Sequence, residues 1–390
     1  MKKNNAIIAG IVACAIMILS PGTGRSAGPD DVISVSDTLA IPADEGSSIT
    51  SDSSSTQAAE PAKGHWVALP AFFYTPETGF GGGVVVGHIY PRLGDRHPSS
   101  MMGNYYYTEK KQTIIKLTPE LYTEGGYYGR VEMGYKKFPD SYWGIGPDTE
   151  DGDEEKYTPE LFHANPIGMI ELIPDVRVGL QYRYRREVML EREEGGALEQ
   201  RTIPGSSGGT RAGAGIITTY DSRDNIFSSA SGWYVNLSHV SYGSFFLSDY
   251  DFTGISLDVR RFFPLPWEHV FAARFYSRST DGTVPFQDLP CLGGPSDMRG
   301  YQAGRYRDKF AAWAQAEYRI PLVWVTWLSV FGSAGNVSRN LGSYSVNSIK
   351  YAGGGGVRFR LNEERFSIRC DYAVTGEGGS NFYLSINEAF

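Results

Sequence analysis

The sequence predicts an all-β protein, and more specifically a 16-stranded antiparallel transmembrane β-barrel. The 390 residues include 47 Gly, 25 Tyr and 20 Phe, and the mean hydropathy is -0.29. After residue 20 there is no run of the ~18 apolar residues that a membrane helix needs. Instead, short Tyr-, Val- and Ile-rich runs are separated by Gly, Pro, Asp and Asn, which is typical of strands and turns. Many runs alternate apolar with polar residues, as expected for a barrel with one lipid-facing and one wet face.

The N-terminal region divides into two parts that precede the barrel. Residues 1–27 have a charged start at Lys2 and Lys3, an apolar core and small residues after it, and this pattern is typical of a secretory signal peptide. Residues 28–64 are rich in Ser, Thr, Asp, Ala and Pro and cannot bury enough apolar surface to fold, so they are predicted to be a disordered tether. The barrel is therefore expected over 65–390.

Turn signals divide the rest of the chain into candidate strands of about the length that a tilted membrane strand needs. The first eight candidates lie near 66–75, 79–90, 100–108, 112–122, 126–137, 160–173, 175–187 and 209–220. The second eight lie near 232–243, 250–263, 268–279, 310–320, 324–334, 349–361, 365–375 and 381–390. The last candidate alternates apolar and polar residues up to Phe390. An exposed strand of this kind favours aggregation in water, whereas it is stable where it closes a barrel in lipid.

Alternation along the candidates distinguishes this barrel from a soluble sandwich. In 176–185 the apolar and Tyr side chains share one face, while three Arg, a Gln and a Gly occupy the other. In 365–374, Arg369 and Asp371 oppose the apolar set. Both kinds of fold alternate, but a second face that carries many ionic groups fits a wet lumen.

The lengths of the connections are also unequal in a regular way. The long ones, 138–159, 188–208 and 280–309, all follow odd-numbered strands, whereas several that follow even-numbered strands are short. Outer-membrane barrels whose termini are periplasmic show this asymmetry, with long loops outside and short turns inside. The connection from Tyr220 to Gly232 is an exception.

The segment after the eleventh strand carries the most specific motifs. It reads Pro295-Ser-Asp-Met-Arg-Gly-Tyr301, and the next strand contains Ala316-Glu-Tyr-Arg-Ile-Pro-Leu322. With Tyr220-Asp-Ser-Arg-Asp-Asn-Ile-Phe227 and the C-terminal ending, these motifs closely resemble the BamA/TamA superfamily of outer-membrane assembly barrels, also called the bacterial surface antigen family. The resemblance covers 209–390 by motif and 66–200 by pattern only.

The resemblance implies a lumen-inserting loop after strand 11. In the family, an Arg-Gly-Tyr or Arg-Gly-Phe tip, here Arg299-Gly300-Tyr301, folds back into the lumen, and its Arg binds acidic groups on the inner wall. Glu317 matches one family partner. The second is normally an Asp in a Phe-x-Asp-x-Gly motif, which here reads Phe331-Gly-Ser-Ala-Gly335, so Ser333 takes that position. The Arg299 anchor is then either weaker than in the family or supported by Asp371.

The resemblance also implies a C-terminal targeting signal, formed by Phe382, Leu384, Ile386 and Phe390. Localisation in a Gram-negative outer membrane with a periplasmic N-terminus follows, with outer-membrane lipids as partners. Assembly members of the family carry periplasmic POTRA domains, for which this sequence has no room. Clients among outer-membrane proteins, or a separate periplasmic receptor, are the expected protein partners. A seam between the first and last strands, weakened by residues such as Pro70, is expected either to open laterally or to be a tolerated imperfection.

Other chemistry is not indicated. Gly205-Ser-Ser-Gly-Gly209 matches a nucleophile-elbow pattern but lacks the following helix, so no catalytic residue is predicted. The acidic loop 148–155 does not have the spacing of a calcium loop, and the six His residues are scattered, so neither a metal site nor a cofactor is expected. A net charge of -8 argues against nucleic acid.

Three functions remain open at this stage. The first is assistance with polypeptide insertion or translocation at the seam, without enzymatic activity. The second is a passive channel or a structural barrel, because sixteen strands can enclose an aqueous path. The third is an outer-membrane lipolytic enzyme or its truncated anchor, which would need a catalytic Ser with an adjacent His that the sequence does not show.

Overall fold

The computed structural model describes residues 65–75, 78–90, 99–225, 228–323, 325–360, 365 and 367–390. The predicted signal peptide, 1–27, and the predicted tether, 28–64, lie outside the described residues. Within these ranges, no helix has both the length and the apolar character needed to cross a membrane.

Sixteen long antiparallel strands in the described residues form one closed sheet. They are β1 His65–Thr75, β2 Gly79–Ile89, β3 Ser100–Thr108, β4 Thr113–Tyr122, β5 Tyr127–Lys137, β6 Glu155–Ile173, β7 Val176–Arg192, β8 Gly208–Asp221, β9 Gly232–Tyr242, β10 Phe252–Pro264, β11 Val270–Gly282, β12 Phe310–Val323, β13 Thr326–Ser338, β14 Lys350–Arg360, β15 Ser367–Thr375 and β16 Ser380–Ile386. Each strand pairs with the next along the chain, and β16 pairs with β1. The predicted all-β, 16-stranded antiparallel barrel is therefore confirmed.

Several boundaries differ from the predicted ones, and the structure gives a reason for two of these differences. β6 and β7 are longer than predicted, because their ladder continues to the pair Tyr157–Arg192, and the short strand Asp140–Tyr142 pairs with this extension of β6. At the C-terminus, the predicted strand 381–390 ends early, at Ile386. Asn387 has a φ of 61°, a left-handed conformation that Asn tolerates and that cannot continue a strand.

The two faces of the barrel carry the side chains that a membrane barrel requires. Along β15, Arg369 and Asp371 are buried, whereas the neighbouring Tyr372 and Val374 are exposed. The same inversion occurs elsewhere, and Leu180 is 70% exposed on the outside. A soluble fold would bury the apolar set, so this distribution of ionic groups inside and apolar groups outside fits a barrel surrounded by lipid.

The barrel has two unlike ends. The connections 138–154, 193–207 and 283–309 lie together at the long-loop end, whereas 174–175, 265–269 and other short connections lie at the short-turn end. The exceptional connection 222–231 belongs to the short-turn end. Its length has a structural reason, because Ser228 Oγ donates a hydrogen bond to Glu388, and Arg319 donates one to the Ser229 carbonyl.

Candidate functional site

The connection from β11 to β12, residues 283–309, folds back on itself before it meets the barrel wall. Cys291–Leu292 pairs with Tyr306–Arg307 and forms a small hairpin inside this connection, which we call the inner loop. At its tip, Gly300 has a φ of 117°, and a Cβ there would lie 3.2 Å from side-chain carbons of Ala352 and Thr375. Both the backbone conformation and the close approach to β14 and β15 therefore require glycine at this position.

Arg299 connects the tip to two strands of the wall. Its Nη2 lies 2.5 Å from a carboxylate oxygen of Glu317 on β12, and its Nη1 donates to Asp371 on β15. The guanidinium also lies 3.5 Å from the ring centroid of Phe331 on β13. Since all three charged side chains are at most 2% exposed, these are charge-assisted bonds shielded from water.

The last strand holds the other two residues of the tip. The Gly300 N–H donates to the Tyr383 hydroxyl at 3.1 Å, and Asn381 donates to the Gly300 carbonyl at 2.7 Å. The Tyr301 hydroxyl donates to the Tyr351 carbonyl on β14 at 3.2 Å. The tip is therefore fastened to four neighbouring strands, β12 and β14 to β16. Tyr383 and Asn381 were not predicted, because nothing in the motif indicates which side chains of β16 face the tip.

Arg299 belongs to a larger set of charges, which we call the ionic cluster. Its members share bonds across strands β12, β14 and β15 and the C-terminal tail, and they are Arg299, Glu317, Arg319, Arg358, Arg369, Asp371 and Glu388. Each carboxylate meets at least two guanidinium groups. Such pairing is necessary, because a buried charge without a partner is strongly destabilising.

Four members of this cluster, Arg319, Arg358, Arg369 and Glu388, were not among the predicted tip partners. Arg319 lies 2.9 Å from Glu317, and Arg358 bonds Asp371 and lies 3.1 Å from Glu388. The sequence signal for Arg358 was its position on the lumen face of β14. That position did not reveal its partners, because they depend on the register of distant strands.

Ser333 does not take the expected place beside Arg299. Its hydroxyl donates a weak hydrogen bond to the Ala352 carbonyl at 3.4 Å, and Arg299 forms no hydrogen bond with it. The reason is that Asp371, two strands away, supplies the carboxylate that the family motif would place at position 333. The second carboxylate in contact with Arg299 is therefore on β15 rather than β13.

The predicted targeting residues occupy different environments. Phe382 and Leu384 alternate with the buried Tyr383 and are only partly buried, whereas the side chain of Ile386 lies outside the described part of the structure. Phe390 leaves the strand pattern and is 6% exposed, packed with Phe262, Ala272 and Ala389. The turn at Asn387 directs the tail into the barrel, where Glu388 joins the ionic cluster.

Two kinds of comparison with known proteins are informative. The sequence profile described as the Omp85 superfamily domain matches residues 172–390. Among solved structures, BamA from Haemophilus ducreyi lacking POTRA domains 1-3 has a TM-score of 0.58 at 15% identity, covering 83% of this chain and 70% of that chain. No curated protein matches the sequence.

CdiB is a second similar structure, solved from two organisms. CdiB from Acinetobacter baumannii has a TM-score of 0.52 at 12% identity, and CdiB from Escherichia coli has a TM-score of 0.55 at 9% identity. Both alignments cover 83% of this chain, but only 59% and 63% of the CdiB chains. At these identities the structural similarity concerns the fold alone.

Proposed function

Because the chain belongs to the Omp85 superfamily, a family of Gram-negative outer-membrane barrels, we propose that it assists the insertion of polypeptides into that membrane or their translocation across it. The proposal includes outer-membrane protein clients or a separate periplasmic receptor as partners, and no enzymatic activity. The short-turn end, where β1 begins, would face the periplasm. The observation that carries the proposal is the seam between β1 and β16.

The seam is much shorter than the neighbouring ladders. β1 and β2 pair over eleven positions, whereas the described residues of β1 and β16 pair at one position, Tyr74 opposite Leu384. β16 ends at Ile386, and the residues after it turn inward, so they cannot extend this ladder. Since backbone hydrogen bonds in lipid have no water to replace them, the place with fewest of them is where a client strand would gain most by pairing.

The inner loop supports the proposal through its position beside the seam. Its tip binds β16 through Tyr383 and Asn381, and it binds β12 and β15 through the ionic cluster. We propose that this anchor keeps the last strand in register while the seam exchanges partners. A rigid support on one side lowers the cost of opening on the other, because only β1 then needs to move.

The C-terminal residues have a second proposed role. Phe382, Leu384, Ile386 and Phe390 would act as a targeting signal before folding, while this segment is still extended. In the folded barrel, the buried position of Phe390 removes it from recognition. The same residues would therefore be recognised during assembly of the barrel and would stabilise it once it has folded.

A disulfide across the seam tests the proposal. Tyr74 and Leu384 are directly opposite, so the double variant Tyr74→Cys/Leu384→Cys can form a bridge when oxidised. It is made in a Cys370→Ser background, because the native thiol of Cys370 on β15 is also opposite position 384 and would compete for the bridge. The assay is the folding of a small denatured outer-membrane barrel into phosphatidylcholine vesicles that contain the variant, followed by heat-modifiable gel mobility. We expect the reduced protein to accelerate folding and the oxidised protein to lose this effect.

A matched control separates the effect of locking the seam from the effect of introducing any disulfide into the barrel. Tyr74→Cys/Phe80→Cys places the bridge in the β1–β2 ladder, where Tyr74 is opposite Phe80. This control should accelerate client folding equally well in both redox states. Full activity of the oxidised seam variant would show that lateral opening is not the mechanism.

A further inference from the structure

A cavity of about 450 Å³ lies inside the barrel, away from the ionic cluster. On one side it is lined by the inner loop, including Cys291 and Asp297, and on the other by side chains of β4 to β7 and β11. We call it the lumen cavity. Neither the fold nor the proposed exchange of strands at the seam requires a cavity here.

The charges that line the lumen cavity are unequal. Its cationic side chains are Lys116, Lys136, Arg185, Arg278 and Arg307, and its carboxylates are Glu132 and Asp297. Both carboxylates already have cationic partners: Lys116 lies 2.8 Å from Glu132, and Arg274 lies 2.7 Å from Asp297. Cations therefore outnumber carboxylates in the lining, and Asp140, which does not line the cavity, also acts electrostatically on Lys136 and Arg307.

Two guanidinium groups carry most of this imbalance. Among the described residues, Arg278 has neither a hydrogen bond nor a carboxylate within 4 Å. Arg307 donates only to backbone carbonyls, those of Gly304 at 3.1 Å and Phe286 at 3.2 Å. Both groups line the lumen cavity and keep unused capacity for an anionic partner.

The nearest acidic residue to Arg278 is already shared by other cations. Asp288 acts electrostatically on Arg278, but it lies 3.0 Å from Arg211 and 3.6 Å from Arg185. Arg185 in turn repels Arg278. Asp288 is therefore shared among several guanidinium groups, and Arg278 has no carboxylate of its own within 4 Å among the described residues.

A confined space with excess positive charge favours an anion. Cations held out of bulk water are costly unless they are paired, and a concave wall of one sign concentrates the opposite ion. The guanidinium fork matches the geometry of phosphate oxygens, with which it forms short charge-assisted bonds. The cavity volume falls in the range of small-molecule sites.

We propose that the lumen cavity binds a small free oxyanion of the phosphate or pyrophosphate class, with Arg278 and Arg307 as its binding residues. This inference is independent of strand exchange at the seam. Its experiments use no client protein, so failure of one proposal leaves the other intact.

Cys291 offers a natural reporter, because it is an exposed free cysteine among the residues that line the lumen cavity. The measurement compares the modification of Cys291 by anionic and cationic methanethiosulfonate reagents, followed by peptide mass spectrometry and normalised to a free thiol. We expect the anionic reagent to react about tenfold faster, as a nearby excess charge in partly screened surroundings predicts. Millimolar inorganic pyrophosphate should slow it. Equal rates for the two reagents would overturn the proposal.

Variants that remove one positive charge test whether the preference for the anionic reagent arises from Arg278. Arg278→Gln should abolish most of the preference for the anionic reagent, and Arg278→Lys should retain part of it. Arg339→Gln removes the same charge from an exposed connection and should leave the preference unchanged. An equal loss in Arg278→Gln and Arg339→Gln would contradict a local site.

Direct binding provides a measurement that does not depend on Cys291. Isothermal titration calorimetry of the full chain in detergent should show saturable binding of pyrophosphate, weakened at least about tenfold in Arg278→Gln, as loss of a charge-assisted partner predicts. No saturable binding at millimolar pyrophosphate would overturn the proposal.

Vesicles of two compositions distinguish a free anion from a lipid headgroup. Protection of Cys291 by pyrophosphate in pure phosphatidylcholine vesicles supports a free solute. Protection by phosphatidylglycerol without added pyrophosphate would overturn it, because the site would then belong to a headgroup.

Discussion

Arg299 holds the inner loop against the wall through two carboxylates that come from strands far apart in the sequence. Glu317 lies on β12 and Asp371 on β15, so one guanidinium joins both to the tip. Removing it leaves these buried carboxylates with fewer cations, although Arg358 still contacts both. The position of the tip therefore depends on Arg299, while the fold of the wall does not.

Replacing Arg299 with Ala should destabilise the barrel without unfolding it. We expect a loss of about 3 kcal/mol in the free energy of unfolding, as found when one partner of a buried ion pair is removed. The measurement is urea unfolding in detergent, followed by tryptophan fluorescence. Ser333→Ala is the matched control, with an expected change of under about 0.5 kcal/mol, because Ser333 does not bind Arg299. A larger effect at Ser333 than at Arg299 would contradict the described anchor.

The buried carboxyl of Asp140, in the connection after β5, should make the free energy of unfolding depend on pH. Burial raises the pKa of this carboxyl to about 7, against the opposing effects of Arg307, Lys136 and hydrogen bonds from Ser141 and Tyr157. In the unfolded chain the Asp140 carboxyl loses its proton at about pH 4, whereas in the folded protein it does so at about pH 7. The folded state therefore binds more protons than the unfolded state between these two pH values. The free energy of unfolding should therefore fall by about 1 kcal/mol per pH unit across this window as pH rises, and level off above it.

The Asp140→Asn variant should remove this contribution from the pH profile of unfolding. Asp148→Asn changes an exposed carboxyl of the same connection and should leave the slope as in wild type. If wild type and Asp140→Asn have the same slope between pH 4 and 7, the carboxyl is not buried as described.

The sequence could identify the tip but not its complete surroundings. Arg299, Gly300 and Tyr301 form a contiguous motif, and Glu317 lies in another motif on the next strand. Arg358 and Tyr383 carry no local signal beyond their lumen-facing phase, and Arg319 lies in the motif of Glu317 without a role assigned by it. Which of them meet is decided by strand register around the barrel, and one sequence taken alone does not show that register.

The C-terminal tail is the element that departs most from its predicted form. Residues 381–390 alternate as a strand, yet pairing stops at Ile386, and Phe390 packs against Phe262 on the inside. Two interactions compete with continued pairing: the burial of an aromatic ring and the bonds from Glu388 to Arg358 and Arg319. The alternation of apolar and polar residues could not predict that pairing ends at Ile386, because it contains no information about the distant residues that bind the tail inside the barrel.

Replacing an aromatic residue of the C-terminal segment with Ala should lower the free energy of unfolding more when its ring is buried inside the barrel. We expect Phe390→Ala to lower the free energy of unfolding by about 3 kcal/mol, the low end for a buried aromatic residue. Phe382→Ala, on the outward face of β16, should cost less, because its ring is only partly buried. The comparison is made by urea unfolding of the two variants. A greater loss from Phe382→Ala would place the tail outside the barrel.

At the scale of the whole molecule, strand number and closure were predictable because they rest on repeated signals. Sixteen alternating segments and unequal connections each appear many times, so errors at individual boundaries do not change the count. Each contact of the inner loop with the barrel wall is made only once, and the motif in the sequence does not indicate the partner residues. The lumen cavity was not predictable, because its walls come from five strands and one loop.

We predict that the inner loop also determines whether the barrel conducts. A barrel of this size encloses an aqueous path unless something fills it. The loop, the ionic cluster and the inward-turned tail all occupy the interior in the described residues. We therefore predict that the loop anchored by Arg299 fills the lumen and prevents the conductance expected of a passive channel.

Planar-bilayer conductance of wild type and Arg299→Ala tests this claim most directly. We predict that wild type is mostly closed and that the variant opens frequently to large conductance levels, because the released loop no longer fills the lumen. Ser333→Ala should behave like wild type. Identical conductance of wild type and Arg299→Ala would contradict an anchored loop inside the barrel.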